Sequence, residues 1–233
     1  MEKEKLPPFD FILVTTKNIP DVAPAVHEIV APAITPGHTA VMLLQNGFNI
    51  ERPFVEAFPG NPVLSGISLI AATEGPLGRI LHEDRDRIVA GAFRNPHIPH
   101  AVADAAARRF VAVYGACPGV ECTYDPDVKY WRWRKLLYNA SFNSVSTVLQ
   151  MDTTRMRVSE FVIDDLIRPV MQEIIAAARA DGVTLTETMA EDVIVCDPYE
   201  AWFKPSMQQD GEKVRRTLFS VTLLAVCFWG RRF

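Results

Sequence analysis

The sequence predicts an α/β domain followed by an all-helical one, and three observations carry that expectation. Apolar β-rich runs alternate with amphipathic segments through the first half. Short polar clusters follow the first two of these runs directly. Near Asp125-Pro126-Asp127 the hydrophobic period then becomes mostly helical, which places the domain boundary at about residue 125, with 1–125 as the α/β part and 126–233 as the helical part.

Phe9 to Thr15 (FDFILVT) has the continuous apolar character of a strand buried on both faces in a parallel sheet. Asp21 to Val30 is expected to be helical, with Pro20 just ahead of it, where a first turn tolerates proline. Pro36-Gly37 breaks the chain before a second buried strand, Thr39 to Leu44. Ile50 to Phe58 reads as a short helix and Val63 to Thr73 as a third strand. Gly78 to Leu81 and Arg87 to Ala92 read as two shorter strands, and the alanine-rich Ala101 to Tyr114 as a helix. Beyond the boundary, Tyr130 to Gln150 is a long helix. Ser159 to Asp181 is another, with Val162, Leu166, Val170, Ile174 and Ala178 on one apolar face and Gly182 as its stop. Thr186 to Val195 is a shorter helix.

Of the 233 residues, 48% are hydrophobic and 22% charged, an ordinary globular composition, and the net charge of −4 gives no electrostatic case for nucleic acid or an anionic membrane. Cys117, Cys122, Cys196 and Cys227 fit no zinc spacing and read as reduced thiols of an intracellular enzyme. His97 and His100, bracketed by Pro96 and Pro99, have no cysteine or carboxylate cluster beside them, so no metal is expected. The charged start Met1 to Lys5 runs into Pro7-Pro8 without the apolar core of a signal peptide. The longest apolar stretch, Leu218 to Trp229, has twelve residues, too few to span a bilayer comfortably. It is expected to pack on the helical part or on a second subunit rather than on a membrane surface.

The residues with chemical promise lie on the helix Tyr130 to Gln150. Lys135, Asn139 and Asn143 are spaced by fours, so they form one stripe that drifts by roughly 40° per step. Ser146 and Thr147 extend the stripe, and Trp133, Leu136, Leu137, Phe142 and Val145 flank it. Such a row is costly to bury without partners. It is either the wall of a polar ligand cleft or a solvated helix face, although asparagine is a poor residue for a merely exposed face. Gln45-Asn46-Gly47 and Thr15-Thr16-Lys17-Asn18 each stand at the carboxyl end of a strand, where open α/β sheets bind ligands, though taken alone a plain Asn-Gly turn and a surface lysine are the commoner outcomes. Lys204 to Asp210 is a polar turn entering a helix, with Ser206 as its N-cap.

Taken in order, ILVTTK (Lys17), QNG (Gln45-Asn46-Gly47), W-x-K-x3-N-x3-N (Trp133, Lys135, Asn139, Asn143) and P-S-M-x2-D (Pro205 to Asp210) resemble the ketopantoate reductase (2-dehydropantoate 2-reductase) family, from about Phe9 to Thr217. The resemblance implies a Rossmann-type domain followed by a helical domain like that of 6-phosphogluconate dehydrogenase. It also implies NADPH-dependent reduction of a 2-keto acid, ketopantoate to pantoate, by a cytoplasmic homodimer. By the same resemblance Lys135 is the catalytic lysine, Asn139, Asn143 and Ser206 bind substrate, and Lys17 and Asn46 line the cofactor side. Two departures stand out. None of the twelve glycines falls in the G-x-G-x-x-G spacing of the family's pyrophosphate turn, so the chain is expected to begin near the family's fourth strand. Leu218 stands where the family has a substrate-binding glutamate, and the segment after it is unlike the family's polar continuation. The second expectation is therefore a catalytically impaired relative that acts as a binding or dimerisation module.

Overall fold

The computed structural model describes residues 7–75 and 78–212; the expectations for Leu218 and the apolar stretch after it lie outside the described residues. The chain divides after Val128 into two compact units.

The first unit is built on a five-stranded sheet. Its elements in chain order are β1 (Phe11–Val14), α1 (Val26–Val30), β2 (Ala40–Leu43), α2 (Arg52–Ala57), β3 (Val63–Ser68), β4 (Ala72–Glu74), β5 (Ile80–His82), β6 (Asp86–Ala92), α3 (His100–Tyr114) and β7 (Val120–Tyr124). The sheet order is β1-β2-β3-β6-β7, while β4 and β5 form a separate antiparallel pair. β1, β2 and β3 run parallel, β6 is antiparallel to β3, and β7 is parallel to β6. Alternation along the strands sorts the core into two layers. Ala40, Met42, Leu64, Ile88 and Ala90 pack with Ala103, Ala107 and Phe110 of α3. Val41, Leu43 and Val63 pack on the opposite face with Phe54 and Val55 of α2 and Val26 of α1. Burial on both faces is why β2 (AVML) reads as an unbroken apolar run.

Four expectations shift. The first strand, expected to be buried on both faces, is an edge strand of the sheet among the described residues, and its Leu13 is 42% exposed. The helix predicted from Asp21 begins only at Val26, because Pro24 lacks an amide hydrogen and disfavours helical backbone at Ala23. The predicted third strand ends at Ser68, which pairs with Ile88 close to the start of β6; past that partner the chain turns and Ala72–Glu74 pairs with β5 instead. β7 was not foreseen, since Glu121 and Thr123 face outward and break its apolar run.

The second unit is helical: α4 (Val128–Tyr138, its first residue at the unit boundary), α5 (Ser144–Leu149), α6 (Thr153–Val158), α7 (Glu160–Val162), α8 (Arg168–Ala180), α9 (Met189–Ile194) and α10 (Ser206–Glu212). The two long helices of the sequence reading are present, but each contains a π turn, at Asn139–Asn143 between α4 and α5 and at Ile163–Ile167 between α7 and α8. The two π turns pack against each other, and the first also packs on α8. The π turn at Ile163–Ile167 rotates the apolar face expected for this helix. Ile163, Ile167, Met171, Ile174 and Ala178 are buried, whereas Leu166 is 42% exposed. Asp181 fastens the end of α8 to α4, accepting from Trp133 Nε1 at 3.0 Å and pairing with Lys129 Nζ at 2.9 Å. Among the described residues no helix is long and apolar enough to cross a membrane.

Candidate active site

Lys135 sits near the end of α4, and Asn139 and Asn143 open and close the π turn that follows. A turn closed i→i+5 winds less per residue than an α-helical one, so it opposes the forward drift of the stripe and returns Asn143 toward the line of Lys135. Asn143 Nδ2 donates to Asn139 Oδ1 at 3.1 Å. Asn143 is only 4% exposed, and its Oδ1 is buried without a hydrogen-bond partner in the protein. Lys135 and Asn139 are partly buried. The row is thus not a solvated helix face, and a buried amide oxygen left open calls for a ligand or an ordered water.

Burial, reinforced by the positive charge of Arg132 one turn earlier, lowers the Lys135 ammonium from its ordinary 10.5 to about 7. A lysine so placed exchanges a proton readily near neutral pH. Two serines around the π turn escaped the sequence reading. Ser141 Oγ donates to Leu137 O, and Ser144 Oγ to Ala140 O, both at 2.5 Å. Tyr138, stacked on Phe142 with ring centres 5.2 Å apart, donates its hydroxyl to Asp197 Oδ2 at 2.7 Å. The only signal for the serines was their hydroxyl content inside an apolar helix, which reads as exposure when taken by type.

Ser206 is the first residue of α10 rather than its cap, and it is partly buried. α10 packs on α5 and on the π turn, where Ser146 Oγ donates to Gln208 Oε1 at 2.6 Å. Ser206 therefore lies on a helix packed against the turn that carries Asn139 and Asn143, and Lys135 is on the helix that runs into that turn. The remaining two predicted residues belong to the other unit. Lys17 is exposed after β1 and Asn46 is partly buried after β2, at the carboxyl ends of adjacent parallel strands. Gln45 ties their loops together, its Nε2 donating to Thr16 O at 2.6 Å and lying 3.2 Å from Thr16 Oγ1. Gly47, at φ +129°, takes a backbone conformation that other residues rarely adopt and so leaves the loop open beside Asn46. Behind these loops Ser65 donates to the buried carboxylate of Glu51 at 2.6 Å.

Lys17 and Asn46 are the residues of these strand-end loops that could hold the polar or anionic end of a dinucleotide. The pyrophosphate turn is not in the sequence, so no pyrophosphate contact is assigned. Among the described residues no group of His, Cys, Asp or Glu is placed to hold a metal ion. A cavity of about 250 Å³ in the helical unit is lined by Arg157, Ile163, Asp164, Ile194, Val195 and Tyr199, none of them a candidate site residue.

Comparison with known proteins places the chain in a family. The profile described as ketopantoate reductase PanE/ApbA matches residues 1–95, and that of the C-terminal part of the same family matches residues 127–233, beyond Leu218. An uncharacterized protein of Saccharomyces cerevisiae is 35% identical over 228 residues, covering 88% of this chain and 62% of its own length. A 2-dehydropantoate 2-reductase of Nostoc is 23% identical over 216 residues, covering 91% of this chain and 64% of its own. This chain thus spans less than two thirds of both curated relatives. The crystal structure of 2-dehydropantoate 2-reductase from Methylococcus capsulatus superposes with a TM-score of 0.80 at 27% identity, over 98% of this chain and 70% of that one. With both family profiles matched in order, and a mostly parallel sheet unit followed by a helical one, the chain belongs to the ketopantoate reductase family.

Proposed function

We propose that this chain carries the substrate side of an NADPH-dependent 2-keto acid reductase, acting on ketopantoate or a related 2-keto acid. The observation that carries the reading is the placement of Lys135, with its ammonium near neutrality, along the same helix as the Asn139–Asn143 pair, whose buried Oδ1 is open. The nicotinamide cofactor, when bound, supplies hydride to the ketone carbon. As negative charge develops on the ketone oxygen, Lys135 stabilises it and gives up the proton that completes the alcohol, after which the neutral amine regains a proton from water. The Asn139 and Asn143 amides hold the substrate's oxygens, and the Ser206 hydroxyl donates to its carboxylate. Lys17 and Asn46 serve the cofactor side. A cytoplasmic homodimer acting in pantothenate biosynthesis goes with the same reading.

Binding is tested by NADPH fluorescence titration, and turnover by ketopantoate-dependent loss of absorbance from NADPH. No NADPH binding sinks the reading. Where turnover is present, Lys135→Ala is expected to lower kcat by about 10²–10⁴-fold with the fold retained by circular dichroism. An unchanged rate removes Lys135 from the mechanism.

A further inference from the structure

We infer that the buried hydroxyls of Ser141 and Ser144 are positioning residues for this site, holding open the π turn that keeps Asn143 in line with Lys135. The inference rests on the reductase reading, but its first observation does not depend on turnover. A π turn is rare and survives in a helix only where the surroundings favour it, frequently at functional sites. Opening the turn moves backbone carbonyls away from their usual amide partners, and those carbonyls need new donors. The two serines supply them. Ser141 Oγ reaches Leu137 O at 2.5 Å. Ser144 Oγ reaches Ala140 O at 2.5 Å and lies 3.1 Å from Ser141 O. Thr147 Oγ1 continues the series, donating to Asn143 O at 2.7 Å. Hydroxyls bonded back to the preceding turn loosen and bend helices.

Burial gives these bonds their weight. Ser141 is 0% and Ser144 8% exposed, so neither hydroxyl has bulk water as an alternative partner. The surfaces around the turn are apolar: Ile163 and Ile167 of the second π turn are buried, as is Phe142 within the first. If the turn relaxed to a regular α helix, the drift from Lys135 to Asn143 would accumulate to roughly 80° over the two steps. Asn143 would then leave the side of the helix that carries Lys135.

The test is the Ser141→Ala/Ser144→Ala double variant, followed by its crystal structure, NADPH titration and steady-state kinetics. Alanine is the better helix former, so the variant is expected to fold with a regular α helix through 139–143. NADPH affinity should stay within twofold of the parent, since Lys17 and Asn46 lie in the other unit, while kcat falls at least tenfold. A general loss of packing would instead lower stability without this split between binding and rate. A π turn that persists in the double variant, or a kcat within twofold of the parent, overturns the inference. Should the double variant not fold, Ser144→Ala at the less buried position is read by the same two criteria. If the parent chain shows no turnover, the reductase reading fails, and the crystal structure of the variant alone decides whether the serines hold the turn.

Discussion

Lys135 answers to two opposed requirements. As a proton donor it must be charged, yet its burial beside Arg132 opposes that charge and lowers its pKa to about 7. Under the proposed mechanism, kcat/KM should be highest below pH 7 and fall as pH rises through about 7 with the loss of the ammonium; a profile flat from pH 6 to pH 9 contradicts the assignment. Stability carries the same signature with a defined sign. Below pH 7 both folded and unfolded chains hold the proton, and the folded state bears the whole cost of the buried charge. Between about 7 and the ordinary 10.5 the unfolded chain binds a proton that the folded chain does not, so this residue makes stability rise with pH; above that window the cost is gone. Lys135→Met, which keeps the stem and removes the charge, should therefore raise the melting temperature most at pH 6 and progressively less toward pH 10. An equal gain at both pH values would show that the burial of charge is not what the substitution relieves.

At the scale of elements, close approach decides what a strand tolerates. A Cβ added at Gly91 on β6 would run into the backbone oxygen of Asp125 and the side chain of Val128, and a backbone carbonyl has little room to yield. Gly91→Ala is expected to cost about 1–3 kcal/mol, seen as a lower urea midpoint with an unchanged slope. Gly66→Ala on β3 should cost less, because its new methyl meets the flexible ends of Leu44 and Met42 first. Elements of this kind were readable where an apolar period was uninterrupted: β2 carries four buried residues in a row, and α3 buries Ala103, Ala107 and Phe110 at helical spacing. They were not readable where a partner strand or a changed helical pitch sets the outcome. Nothing in Val63 to Thr73 announces that the chain leaves β6 after Leu69, whose amide still donates to Arg87 O, and that Ala72–Glu74 pairs with β5 instead. Nothing in the apolar steps after Val162 announces a π turn that exposes Leu166. The candidate site divides in the same way. The stripe of Lys135, Asn139 and Asn143 was legible in the spacing and its expected roles only in the family resemblance, whereas the open acceptor on Asn143 and the back-bonded Ser141 and Ser144 depend on burial that spacing does not reveal.

Across the whole molecule, both units expose large apolar side chains, and on the helical unit some of them border a cavity. Phe161 is 78%, Val195 68%, Val158 62% and Tyr199 52% exposed. Val195 and Tyr199 border the cavity together with Asp164, and Phe161 lies one helical turn before Asp164. Exposed apolar side chains beside a cavity are suited to contact with another protein, and a net charge of only −4 offers little repulsion between copies. The proposed homodimer is accordingly expected to use this face. Dimers of identical chains are mostly two-fold, so one substitution enters the interface twice. Phe161→Glu would then remove two apolar anchors and place two carboxylates in the same interface. Sedimentation velocity over a range of concentrations should show the parent chain moving toward a dimer as concentration rises and the variant remaining monomeric. NADPH affinity should be equal in the two, because the loops bearing Lys17 and Asn46 belong to the other unit. A variant that still dimerises with the parent's concentration dependence would place the contact on a different face of the chain.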